Sequence, residues 1–193
     1  VEFLDFVAIA IVADLVPITN ENRILASLGI KIMNKTPRGF IKAFLKNLNR
    51  DINTSDLAFK IGPRINASGR IRHANYSLEL LTSKNDVDIE PKIRSIELLN
   101  SERRLITEKT TKQALDQIET LSYSGEKTSV VFRPDWNKGV IGIVASRLIE
   151  HYYRPTIVFT KSKNTYVGSA RSVKNFDIYK SISDCSDHLI QFG

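Results

Sequence analysis

The sequence predicts an α/β protein in three stretches: a helical first part, one long helix, and a last part in which strands and helices alternate. Three observations predict it. The apolar segments before residue 82 read mostly as helices. Between Asp88 and Leu121 there is no glycine, and Pro91 is the only proline. Beyond Gly125, β-rich segments are interleaved with helical ones.

Taken in order, Leu4–Ala13 is a continuous apolar run, compatible with a buried helix or a buried strand because periodicity does not separate the two. Asp14 and Pro17 end it. Ile24–Met33 reads as a helix with Asn20 as a cap, and Phe40–Leu48 as a short basic amphipathic helix after the Thr36-Pro37-Arg38-Gly39 break. Residues 57–71 hold two glycines and a proline among small polar and basic residues, which predicts a loop opening toward a ligand or an interface. Ala74–Leu81 returns to helix.

The long helix follows, with Pro91 expected in its first turn and a polar break around Thr110–Lys112. At about 1.5 Å per residue, some thirty residues would make a stiff spacer of roughly 50 Å, holding two lobes apart around a cleft. After a turn at Tyr123-Ser124-Gly125, the expected elements are strand Ser129–Arg133, helix Gly139–Tyr152, strands Thr156–Thr160 and Tyr166–Ser169, and helix Asp177–Gln191.

Composition excludes several classes. With 193 residues, 42% hydrophobic and 25% charged, the chain has material for a core, which excludes disorder and collagen-like repeats. The single Cys185 cannot close an intrachain disulfide, so a reducing, cytoplasmic setting is expected. No run approaches the roughly 18–20 apolar residues of a membrane span. The opening Val-Glu-Phe-Leu-Asp has neither a start methionine nor signal-peptide order, the expectation being the middle of a longer protein.

The net charge is +7, unevenly placed. Residues 79–126 carry ten acids and seven bases, leaving +10 on the rest. Lys31–Arg50, Lys60–Ser77 and His151–Phe176 hold six, four and five Lys or Arg residues and no acid. If these runs converge they suit a polyanion; a solvated basic surface is the plainer reading.

Four places have residue types suited to chemistry. Asp14 emerges from apolar surroundings and needs a partner, either backbone N–H groups or a divalent metal. The histidines His73, His151 and His188 are far apart in sequence and form no metal-ligand spacing with it. Gly62-Pro63-Arg64-Ile65-Asn66-Ala67-Ser68-Gly69-Arg70 offers two guanidiniums whose planar forks suit phosphate, or else a tight turn with surface arginines. Gly168-Ser169-Ala170-Arg171-Ser172 gathers hydroxyls, N–H groups and a guanidinium at a strand end, which can cradle a terminal phosphate. Trp136, before the glycine-containing run Asn137–Leu148, is either a base-stacking platform or a packing residue.

Ile-Val-Ala-Asp14-Leu-Val-Pro with Glu21-Asn22-Arg23, then Ile61–Arg70, then Trp136-x-x-Gly139-Val-Ile-Gly142-Ile-Val-Ala-Ser146-Arg147-Leu148, and Gly168–Ser172 together resemble the RecJ family. These are single-stranded-DNA-specific exonucleases of the DHH phosphoesterase superfamily, and the motifs run in register over essentially the whole chain. The resemblance implies that residues 1–85 are the C-terminal helical part of a DHH catalytic domain and 86–125 a connector helix. Residues 126–193 would be an α/β DHHA1 substrate-binding domain with a mixed sheet, cut short at its C-terminus.

It implies the family's last metal-binding aspartate at Asp14, a 5′-phosphate pocket at Ser169, Arg171 and Ser172, and DNA contacts at Arg64, Asn66, Arg70, Trp136 and Arg147. For the parent enzyme it implies 5′→3′ hydrolysis of single-stranded DNA with two Mn²⁺ or Mg²⁺ ions, a role in DNA repair and recombination, a monomer without membrane attachment, and single-strand-binding protein or a helicase as partners. The Asp-His-His motif would precede Val1, a glycine-glycine-histidine motif breaks off at Gly193, and Asn137 stands where many relatives have histidine. The fragment alone is therefore expected to be inactive. An oligonucleotide or phospho-nucleotide phosphoesterase of the same superfamily, or a non-catalytic single-strand-binding module, are the alternative readings.

Overall fold

The computed structural model describes residues 2–83, 85–121 and 126–193. The chain divides into two compact units, residues 1–102 and 103–193. The turn expected at Tyr123–Gly125 lies outside the described residues.

The first unit is helical. The opening apolar run, compatible with helix or strand, is a helix, α1, Leu4–Ala13. A Cβ on Gly29 of α2, Asn20–Lys35, would lie 2.2 Å from the Leu4 carbonyl oxygen, so only glycine lets the two helices approach this closely. Ala8, Ile9, Ile11 and Val12 are buried as a result. The one charge inside the run, Asp5, is buried and paired with Arg38, whose guanidinium also lies 4.4 Å from the centre of the Phe6 ring. Asn20 is the first residue of α2 rather than its cap; Thr19 holds the cap position. Helix α3, Gly39–Phe44, ends short of Leu48 because the chain turns at Leu45, whose carbonyl accepts from the Leu48 N–H at 2.8 Å.

The predicted loop is wrong. Residues 57–71 are helical: α4, Thr54–Asp56, runs into a π-helical turn at Leu57–Ile61 and then into α5, Gly62–Ile71. Pro63 opens α5, where its missing N–H and its ring would conflict with an ordinary preceding turn; the widened turn accommodates both. A Cβ on Gly62 would stand 2.9 Å from the Ala13 Cβ, so this glycine serves packing against α1 and not a loop. Leu57, Ile61, Met33, Phe40 and Ile41 join α1 in the core. Helix α6, Asn75–Leu81, is tied to α5 by a buried hydroxyl pair, Ser68 and Ser77, 2.8 Å apart.

Helix α7, Asp86–Leu121, is unbroken over 36 residues. The helix runs through the polar stretch around Thr110–Lys112, where Thr107 and Thr111 donate their hydroxyls to the carbonyls of Arg103 and Thr107, each at 2.7 Å, which satisfies them inside the helix. Pro91 lies in the helix interior, beyond the first turn expected for it.

In the second unit, β1, Ser129–Phe132, pairs parallel with β2, Thr156–Ser162, which pairs antiparallel with β3, Thr165–Arg171. The sheet is mixed, as expected, in the order β1-β2-β3. Helix α8, Ile141–Tyr152, connects β1 to β2 and packs on one face through Ile141, Val144, Ala145 and Leu148, over Val131 and Val158. Gln117 of α7 meets the edge of β1, its amide both donating to and accepting from the Phe132 backbone at 3.2 Å. The helix expected over Asp177–Gln191 is present only as α9, Ile178–Ser183, with a 3₁₀ turn at Ser186–His188.

Candidate functional site

The strongest cluster forms where β3 passes the N-terminal turn of α8. Alternation along β3 turns Ser169 and Arg171 to the helix-covered face, opposite Val158 and Thr156. Gly142 stands in the first turn of α8, where a Cβ would lie 3.0 Å from Ser169 Oγ and 3.6 Å from Arg171 Nη2. One turn on, Ser146 Oγ accepts from Arg171 Nε at 3.3 Å. In the first turn of α8 the Ile143 and Val144 N–H groups bond to the Val140 carbonyl at 2.9 and 3.0 Å; the remaining first-turn N–H groups, with the adjacent hydroxyls and guanidinium, can form an anion-binding set. Arg171 itself is exposed.

The loop into α8 is held by Asn137, whose Oδ1 accepts from the Gly139 N–H at 2.8 Å. The sequence alone gives Gly142 a close-packing role and Ser146 none. Their four-residue spacing on one helix face was the available signal.

Ser172 does not join this cluster. Its hydroxyl donates to the Phe176 carbonyl at 2.6 Å and shapes the turn after β3. Trp136 is 4% exposed, its Nε1–H donates to Gln113 Oε1 at 2.9 Å, and its carbonyl accepts from the buried Thr160 hydroxyl at 2.7 Å. A ring packed this way offers no face to a base, which corrects the stacking role and leaves the packing one. Arg147 is half-buried on α8.

In the first unit, α5 carries Arg64, Asn66 and Arg70, with Asn66 and Arg70 exposed. Arg64 is held from three sides: Nε donates to Glu97 Oε1 at 2.6 Å, Nη1 to the Lys60 carbonyl at 2.6 Å, and the guanidinium lies 5.7 Å from the Phe44 ring centre. It lines a cavity of about 680 Å³ that Lys46, Lys60 and Arg94 also border.

Beneath this helix sits a group the sequence did not single out. Asp56, 1% exposed, accepts from Arg50 at 2.8 and 3.1 Å and from the Asn53 N–H at 3.1 Å, and pairs with Lys60 at 2.9 Å. Burial alone would raise its pKa. The hydrogen bonds from Arg50, Lys60 and Asn53 and the charge of Lys60 reverse that and hold the carboxyl well below the usual carboxylate range.

Asp14 is exposed at the end of α1, its N–H bonded to the Ala10 carbonyl at 3.0 Å. Its carboxylate makes no hydrogen bond or ion pair with another described residue. Among the described residues no three His, Cys, Asp or Glu side chains are grouped to hold a metal ion. Asp14 thus fits as one ligand and not as a metal site. No described helix is long and apolar enough to cross a membrane.

The chain is similar to known proteins. Residues 125–189 match the DHHA1 domain model. The whole chain is 39% identical, over 197 residues, to the single-stranded-DNA-specific exonuclease RecJ of Bacillus subtilis (strain 168), and spans 25% of that protein's length. Crystal structures of RecJ from Thermus thermophilus in complex with Mg²⁺ and with Mn²⁺ each match the whole chain at TM-score 0.88 and 26% identity, the chain covering 30% and 28% of them.

Proposed function

We propose, for a chain that belongs to the RecJ family along its whole length, that it forms the strand-end-binding portion of a 5′→3′ single-stranded-DNA exonuclease. The observation that carries this reading is the set of Gly142, Ser146, Ser169 and Arg171 at the N-terminal turn of α8. Glycine at 142 leaves the space that a terminal phosphate oxygen needs, and Ser169 and Arg171 flank it with donors. A phosphate gripped there fixes the strand by its 5′ end, which gives degradation its direction.

Residues 1–85 would belong to the catalytic domain, 86–125 to the connector and 126–193 to the DHHA1 domain. The chain spans only a quarter of the Bacillus protein, so the whole enzyme's activity belongs to a longer protein of which these residues would be part. In that protein Asp14 would be one ligand of a divalent ion, Mn²⁺ or Mg²⁺, which polarises the scissile phosphate and activates water. Arg64, Asn66 and Arg70 would face the strand from the catalytic side. Arg64 can do so only by sharing or leaving Glu97.

The test is end-labelled cleavage in the full-length enzyme. Wild type should shorten a 5′-phosphorylated single strand from its 5′ end. Arg171→Ala should lower kcat/KM for that strand roughly tenfold or more, in line with loss of a charge-assisted hydrogen bond. Asp14→Ala should abolish metal-dependent cleavage while leaving strand binding intact. Shortening from the 3′ end, or undiminished cleavage by both variants, would contradict the reading.

A further inference from the structure

The head of Arg64 is ordered by contacts made entirely inside the first unit. Nε donates to Glu97 Oε1 and Nη1 to the Lys60 carbonyl, each at 2.6 Å, and the Phe44 ring centre lies 5.7 Å from the guanidinium carbon. Both anchors are themselves fixed. Lys60 stands in the π-helical turn, and its ammonium pairs with the buried Asp56 at 2.9 Å. Glu97 stands on α7 next to Ile96, which is fully buried in the core, and one turn after Ile93, which packs against the same core. Of the guanidinium donors, Nε and Nη1 each spend one N–H, while Nη2 has no hydrogen bond to another described residue.

Stability does not account for the Arg64–Glu97 pair. The two side chains keep 21% and 40% of their surface exposed, and ion pairs in that setting contribute little to folding. Order is what the pair supplies. A free arginine on a helix face samples many rotamers and gives them up when it grips a ligand; one held at Nε and Nη1 has given them up beforehand. A single carboxylate oxygen on Nε still leaves the Nη2 donors for a phosphate oxygen.

We infer that Glu97 is a positioning residue acting through Arg64: Glu97 keeps Nε while a backbone phosphate takes Nη2, so the guanidinium is shared and Glu97 does not leave. The inference deepens the proposed function and rests on it for the strand that Arg64 meets, but not on the cluster at Arg171.

The test is steady-state cleavage of a 5′-phosphorylated single strand by the full-length enzyme, comparing Arg64→Ala, Glu97→Ala, Glu97→Gln and the double variant of Arg64→Ala with Glu97→Ala. Glu97→Ala should raise KM about three- to tenfold with kcat kept, the cost of ordering one long side chain at the moment of binding. Glu97→Gln, which keeps an acceptor oxygen for Nε, should recover most of that loss. The double variant should be no worse than Arg64→Ala alone, because without the guanidinium Glu97 has nothing to hold. A lower KM in either Glu97 variant would make Glu97 a competitor of the strand and overturn the inference. So would a Glu97→Ala loss that adds in full to that of Arg64→Ala, since the role would then be structural. Wild-type kinetics in Glu97→Ala beside an impaired Arg64→Ala would overturn it and leave Arg64 facing the strand. Wild-type kinetics in Arg64→Ala would remove that strand-facing role and the inference together. Shortening from the 3′ end, with the Glu97 pattern intact, would count against the strand-end reading alone.

Discussion

Asp56 illustrates how one carboxylate can determine a segment. Four interactions converge on it, and it lies at the junction of α4 and the π-helical turn that leads to Arg64. Its pKa is lower folded than unfolded, so its contribution is complete above the unfolded value of about 4 and declines as pH falls from there toward the folded value. Denaturant unfolding should therefore show stability falling below about pH 4. Asp56→Asn should cost about 2–3 kcal/mol at pH 7 and flatten that acid limb. An unchanged acid limb in the variant would assign the pH dependence to other carboxylates. Residue types single out Ser169 and Arg171, and β3, which runs two residues beyond the expected strand end, carries both on one face. Residue types point less well to Trp136, because an indole suited to stacking is equally suited to burial, and its partner Gln113 lies 23 positions away.

At the scale of elements, the segment over 57–71 is helical where its glycines and proline, as helix breakers, predict a loop. Here Gly62 makes a close contact with α1 and Pro63 sits where the π-turn relieves it, and neither contact is visible from local sequence. The long helix was legible from its lack of glycine, and its threonines did not break it because their hydroxyls found carbonyls one turn back. The last helix came out short because α9 buries no residue, and helices draw most of their stability from packing. Two glycine substitutions separate packing from binding. Gly29→Ala should destabilise by about 1–3 kcal/mol or more, since its Cβ meets backbone at 2.2 Å. Gly142→Ala gains about 1 kcal/mol of helix propensity against a tight contact with Ser169 Oγ, so thermal stability should change little. Its preference for a 5′-phosphate over a 5′-hydroxyl strand should fall severalfold; a retained preference would place the phosphate elsewhere.

For the whole molecule, the uneven charge is the feature legible from composition alone. The basic runs fall on the α2–α3 region, on α5 and on the β2–β3 hairpin, leaving the acidic excess around α7. Strand binding through such runs releases counterions, so log K should fall with log salt at a slope of roughly −2 to −4, corresponding to about three to five neutralised phosphates. A slope near zero would mean that the basic runs stand clear of the strand.

The measurement closest to the central claim is the affinity of the 193-residue chain for two single strands of identical sequence, one 5′-phosphorylated and one 5′-hydroxyl, titrated at one salt concentration. The account predicts roughly tenfold or greater preference for the phosphorylated strand, lost in Arg171→Ala. Equal affinities in the wild-type chain would contradict it.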